Sequence, residues 1–409
     1  MRTDNLDDSL PGTLLPHVNG RTKLPQPALE GGGLFRSFWI GGFEASCHIN
    51  TKRKRLDMTA AVGHDVYAAE DYALLRGMGI LTARDGIRWH LMDRGGQYDF
   101  SAWAPMLEAA RAQGVQVIWD ICHYGWPDDL DIFSPAFIER YARFCRAVTQ
   151  YHRETGPEAP FFAPINEISF FAWAASRRII YPFARGRDGE LKRQLIRAAI
   201  AGAEAIRDVD PRARFVYPEP LIHTVPPLRS DLTQPARDKY ESQFEVFEML
   251  LGRAAPELGG DPKYLDIIGL NYYAANQWVV PSGRKLRWDG RPLDKRWRPL
   301  HLLLAEVWRR YQRPMFIAET SHYGVGRAAW IAEVAGEVFE ACNNGIPVEG
   351  ICLYPILDRF DWNDPTHWHN SGLWDFEPGR NGHYRRVLNE EYAAAVRSWQ
   401  EKLAAIGCR

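Results

Sequence analysis

The chain has 409 residues, 46% hydrophobic and 25% charged, with a formal net charge of −1. That balance suits a large globular core, and the near-zero charge argues against a broad nucleic-acid surface. No run of about 18 apolar residues appears, so no membrane span is expected.

Residues 1–30 are polar and broken by Pro and Gly, and read as an irregular N-terminal arm before a single domain over 31–409. The first residues have no basic n-region or apolar h-region, so no secretory signal is expected. The six cysteines, at 47, 122, 145, 342, 352 and 408, show no C-x-x-C pair and no zinc spacing. They predict reduced core thiols and a cytoplasmic protein.

From residue 34 apolar runs alternate with helical patterns. Strands are expected at 34–43, 80–85, 115–122, 161–166, 214–219, 265–273, 314–319 and 348–356. Helices are expected at 65–79, 101–114, 134–152, 189–209, 240–252, 300–312, 327–344 and 382–406. Ser134 and Pro135 suit the start of the third helix, and Gly79 and Gly114 suit helix ends. The strands are apolar on both faces, as in a parallel sheet covered by helices. Eight such units predict an α/β fold, a (β/α)8 TIM barrel. No G-x-G-x-x-G follows a strand, which argues against dinucleotide binding.

Chemistry in such a barrel sits where strands end. Those ends carry Glu44 and His48, Arg84 and Asp85, Asp120 and His123, Asn166-Glu167, Glu219, Tyr272-Tyr273, Glu319, and Tyr354, Asp358, Asp361 and Trp362. Carboxylates at the ends of the fourth and seventh strands would share one mouth. One protonated and one ionised carboxyl are what glycosidic bond cleavage needs, and proximity splits their pKa values. No metal constellation is seen, and no cofactor is expected. His367 and His369 in WNDPTHWHN read as a solvated or sugar-contacting loop, and KRKR at 52–55 as a solvated loop. The long connection 274–298 carries Trp278, Arg284, Arg287, Trp288 and Arg291, and reads as a lid that would suit an acidic or phenolic aglycone.

These segments resemble glycoside hydrolase family 1, the β-glucosidase-like retaining enzymes. FFAPINEISFF resembles the Asn-Glu-Pro acid/base motif, and MFIAETSHYG the Ile-Thr-Glu-Asn-Gly nucleophile motif. VQVIWDICHYGWPDDL resembles the third strand with its sugar-contacting His, IIGLNYYAANQW the Gly-Ile-Asn-Tyr-Tyr segment, and ICLYPILDRFDWND the eighth strand. The resemblance implies Glu167 as general acid/base and Glu319 as nucleophile. It implies Arg84 holding Glu319 ionised, Tyr273 or Tyr272 bonding it, Asn166 on the sugar 2-hydroxyl and His123 on other hydroxyls. Glu44, Asp361 and Trp362 would complete the sugar contacts. The recognition shell departs from the family pattern: Ile168 stands where Pro follows the acid/base, and Thr320-Ser321 where Asn-Gly follows the nucleophile. The expected function is hydrolysis of a β-glycosidic bond in a small-molecule or oligosaccharide glycoside. The alternatives are transglycosylation at the same site and a catalytically silent carbohydrate-binding barrel. A homo-oligomer is compatible with the sequence.

Overall fold

A computed structural model describes residues 33–228, 231–290, 292–379 and 384–408; the expected arm over residues 1–30 lies outside the described residues. Eight parallel strands close a barrel in sequential order: β1 (Trp39–Gly42), β2 (Thr82–Gly86), β3 (Gln116–Cys122), β4 (Phe161–Ile165), β5 (Arg214–Pro220), β6 (Ile267–Asn271), β7 (Met315–Thr320) and β8 (Val348–Leu353). β8 returns to pair with β1, with Ile40 opposite Cys352. Every expected strand is present, and the fold is a (β/α)8 TIM barrel.

The main outer helices are α1 (His64–Gly77), α2 (Ala104–Ala112), α3 (Pro135–Thr155), α4 (Asp188–Val209), α5 (Glu245–Leu250), α6 (Leu300–Tyr311), α7 (Arg327–Asn343) and α8 (Glu390–Ala405). The helix expected at 240–252 is instead broken into Thr233–Glu241, a 3-10 turn at Ser242–Phe244, and α5. The start expected at 382 is also corrected. Tyr384–Leu388 pairs antiparallel with Trp374–Pro378, and α8 begins after Asn389, whose side chain accepts from the Tyr392 N–H.

Side-chain alternation along each strand divides the core. Trp119 and Ile121 face the helix layer, while Ile118 packs in the barrel interior with Ile40, Ala163, Val216, Ile267 and Phe316. Phe35 closes one end against Phe161 and Phe316. α3 and α4 pack closely because of Gly202, where a Cβ would press on Tyr141 and the Cys145 sulfur. Among the described residues no helix is long and apolar enough to cross a membrane.

Candidate active site

The site is built at the C-terminal ends of the strands, starting from a charged residue inside the barrel. Arg84, on β2, is fully buried. A guanidinium there needs several acceptors to offset its desolvation, and it has them. Nη1 donates to Glu319 Oε1 at 2.7 Å and to the Ala318 carbonyl at 3.2 Å. Nε and Nη2 grip Asp120 at 3.0 and 2.7 Å, and Nη2 also donates to Asn166 Oδ1 at 2.5 Å. The guanidinium carbon lies 5.2 Å from the centre of the Tyr354 ring. Gly42 makes room for that ring, since a Cβ there would collide with it.

Glu319 reaches the mouth through an irregularity in β7. Ile317 pairs with Leu270 and Glu319 with Asn271, so β7 carries one extra residue at Ala318. A bulge re-aims side chains and frees a carbonyl; here the freed Ala318 carbonyl is taken by Arg84. Thr320, next along, faces outward and accepts from Trp330 Nε1. The second oxygen of Glu319 accepts from the Tyr273 hydroxyl at 2.7 Å.

Glu167 sits just past β4 at φ 42°, ψ 61°, a left-handed backbone that a β-substituted residue rarely adopts. Its neighbours hold it there. The N–H donates to the Pro218 carbonyl, the carbonyl accepts from Phe171, and the helix Ile168–Ser176 starts at once. Oε2 accepts from the Tyr124 hydroxyl at 2.5 Å. Burial, reinforced by the Glu319 charge, pushes the Glu167 carboxyl up to about 8 against the opposing pull of Tyr124. A third carboxyl, Glu219 of β5, is buried behind it and accepts from the Ser169 N–H; burial lifts it to about 7.

Glu167 and Glu319 line one cavity of about 410 Å³, with Glu44, His123, Tyr124, Phe170, Asn271, Tyr273, Tyr354, Arg359 and Trp362 in its wall. Burial alone would raise Glu44, but the Arg359 guanidinium and the hydrogen bonds from Ser46 oppose it, and the carboxyl lies below the usual carboxylate range. The Asn271 amide is directed at Glu167, and among the described residues the buried Trp362 indole N–H has no protein hydrogen bond. Both residues line the cavity.

Several expectations are corrected. Tyr272 turns away from the mouth: it stacks on Trp330 and its hydroxyl accepts from Gln277, because neighbouring residues on an extended chain face opposite sides. Asp361 caps its own loop through the N–H groups of Asn363 and Asp364 and is not in the cavity wall. Asn166 and Arg84 lie beneath the wall rather than in it. Both amide protons of Asn166 are committed, to Tyr124 Oη and His123 Nε2, each at 3.0 Å. His123 borders the cavity, yet both its ring nitrogens are engaged, Nδ1 with Asp120 at 3.0 Å. Since Nε2 accepts from Asn166, Nδ1 carries the proton. In the connection 274–298, Ala274–Asn276 line the cavity, Arg291 lies outside the described residues, and the other groups expected to meet an aglycone are partly engaged elsewhere. Gln277–Val279 pairs with His223–Val225, Trp288 packs on Trp330, and Arg287 is paired with Asp289.

His48 packs edge-on against Trp362, and His369 lies in the cavity wall. Trp126 is buried and donates to the Leu130 carbonyl. Asp358 accepts from the Ser371 N–H. Sequence reasoning missed the parts played by Tyr124, Arg359 and Phe170. Tyr124 adjoins His123, Arg359 adjoins Asp358, and Phe170 lies three residues past Glu167. Among the described residues no group of three or more His, Cys, Asp or Glu is arranged to hold a metal ion.

No family model matches the chain, and no curated protein matches it in sequence. Solved structures do. A β-glucosidase from Thermotoga maritima in complex with glucoimidazole aligns with a TM-score of 0.70 at 14% identity, covering 94% of this chain and 100% of that one. Its complex with castanospermine aligns at 0.69, also at 14% identity, over 94% and 99%. A structure of the family 1 β-glucosidase from the same organism gives 0.66 at 14% over 83% and 87%. The chain therefore shares the (β/α)8 barrel fold of these β-glucosidases along nearly its whole length.

Proposed function

We propose that the protein is a retaining glycoside hydrolase that cleaves a β-glycosidic bond by double displacement. The observation that carries this reading is the division of labour between two carboxyls in one cavity. Glu167 is held protonated near neutral pH, while Glu319 has a guanidinium on one oxygen and a phenol on the other. In the first step the Glu319 carboxylate attacks the anomeric carbon, and Glu167 gives its proton to the departing glycosidic oxygen. In the second step Glu167 takes a proton from water, the hydroxide oxygen bonds the anomeric carbon, and the Glu319 ester bond breaks. Arg84, Asp120 and Tyr273 orient Glu319. Asn271, Glu44, Arg359 and Trp362 supply polar and aromatic contacts to the sugar. The β-glucosidase structures that share the fold, seen with glucoimidazole and castanospermine, support a sugar-like ligand. The six free cysteines support a cytoplasmic setting.

The test is intact mass after incubation with a panel of 2-deoxy-2-fluoro glycosyl fluorides. A mass gain in the wild type, absent in Glu319→Gln, is expected, and the size of the gain reports the sugar class. Hydrolysis of glycosides without any trapped intermediate would overturn the double displacement.

A further inference from the structure

We propose that the leaving-group side of the cavity continues into a subsite for an acidic saccharide, built from Trp173 and the guanidinium groups of Arg177, Arg178 and Arg185. This deepens the glycosidase reading and rests on it. The helix Ile168–Ser176 begins at Glu167, and its residues lead away from the reacting centre. Phe170 lines the catalytic cavity, and Trp173 lies one turn further with ring centres 5.8 Å apart. Trp173 is 43% exposed, a large apolar face left to solvent. It borders a second cavity of about 550 Å³, whose wall also holds Arg177, Arg178, Arg185 and a single carboxylate, Asp188. At about 1.5 Å per residue, Arg177 lies roughly 15 Å along the helix from Glu167. That span suits an oligosaccharide better than a small aglycone.

The charge is what names the ligand. Among the described residues none of the three guanidinium groups has a salt bridge or a side-chain hydrogen bond. Arg187 nearby, by contrast, is gripped by Glu190 and packed over Phe133. Arg53, from the basic run at 52–55, adds to the same sector. Tyr181 N–H donates to the Ile49 carbonyl, and the Arg53 guanidinium lies 4.3 Å from the centre of the Phe183 ring. In a chain of net charge −1, such a local excess of unpaired guanidinium sets up a positive potential that favours an anion. Planar forks of this kind bind carboxylate and sulfate oxygens in pairs. An aromatic track that starts at the catalytic cavity and ends at three free arginines fits a sugar chain with an oxyanion at its leaving-group end.

The experiment measures binding of cellotriose, its C6-oxidised uronate and its sulfated form to Glu319→Gln by calorimetry. The same titrations are run on that protein carrying R177Q, R178Q and R185Q. At least one acidic form should bind about tenfold or more tightly than cellotriose. The difference should shrink with added salt and vanish in the triple arginine variant. The tighter of the two acidic forms identifies the oxyanion. Equal affinity for all three sugars, no binding of either acidic form, or a preference that survives the triple variant overturns the subsite. Fluorosugar trapping separates this result from the parent reading, because a glycosyl fluoride has no aglycone to reach the arginines. Trapping without an acidic preference removes the subsite alone; an acidic preference without trapping removes the hydrolase alone.

Discussion

The Tyr124 hydroxyl donates to Glu167 Oε2 at 2.5 Å while accepting from Asn166 Nδ2 at 3.0 Å. Asn166 Oδ1 in turn accepts from Arg84, and Arg84 donates to Glu319. The two carboxyls are thus the ends of one hydrogen-bonded chain: Glu319, Arg84, Asn166, Tyr124, Glu167. Asn166, expected against the sugar, acts inside this chain instead. It aligns the donor on Glu167, the proposed acid/base.

Tyr124→Phe tests that control. The phenol stabilises the charged form of Glu167, so its removal raises the Glu167 pKa further above the value near 8. The alkaline limb of kcat/KM should move upward. The water-dependent second step should slow by about tenfold, because the base is then ionised less often and one hydrogen bond to a charged group is lost. A pH profile and the reactivation rate of the trapped glycosyl-enzyme measure both effects. An alkaline limb that stays in place, or moves down, counts against the assignment.

Arg84 anchors the other end. Arg84→Met strips the buried carboxylates of Asp120 and Glu319 of their shared cation. Breaking a buried pair on one side costs about 3–5 kcal/mol, and a loss of that size is expected in denaturant titrations. Arg84→Lys keeps the charge but cannot serve Asp120, Asn166 and Glu319 at once, so it should fold while losing most activity. A fully active lysine variant would show that the fork is not needed.

Glu167 also makes stability depend on pH. Its folded pKa of about 8 lies above the ordinary 4.5, so the protein holds that proton where the unfolded chain releases it. The contribution is fully present below pH about 4.5 and is lost as pH rises toward 8. Glu167→Gln cannot ionise. It should therefore be more stable than wild type at pH 8–9 by about 2–4 kcal/mol, with the gap closing as pH falls. Melting curves across this range check the sign. A variant less stable at pH 9 than at pH 5, relative to wild type, would contradict it.

The barrel was legible because each of its strands is buried on both faces, which leaves an apolar run no helix pattern imitates over so short a length. The two carboxyls were legible because they end such runs. What lay beyond reach was side-chain direction. The bulge at Ala318 turns Glu319 inward with no Gly or Pro to mark it. Asp361 and Arg359 sit two residues apart in one loop, and only Arg359 enters the cavity wall. The segment 168–176, ISFFAWAAS, has no polar face to reveal a helix; it is helical because it packs on β5 and α4 and starts at Glu167. Residues 384–388 read as helix because their pairing with 374–378 is not disclosed by their own pattern.

Glu219 offers the last test, since the sequence marked it only as a strand-end residue. Among the described residues it has no salt bridge; its two oxygens accept from the Ser169 N–H at 3.2 and 3.1 Å, in the first turn of the helix that starts at Glu167. It therefore positions that helix, and its charge lifts the pKa of Glu167. Glu219→Gln keeps the size and an acceptor oxygen but removes the charge. The alkaline limb of kcat/KM should fall by less than about one pH unit, with activity at pH 6 nearly unchanged. Glu219→Leu, which also removes the acceptor, should leave the Ser169 N–H unpaired and cost about 1–3 kcal/mol in stability. A merely structural role predicts the stability loss in the leucine variant and no shift of the limb in the glutamine variant. The two substitutions together separate a prop for the helix from a group that tunes the acid.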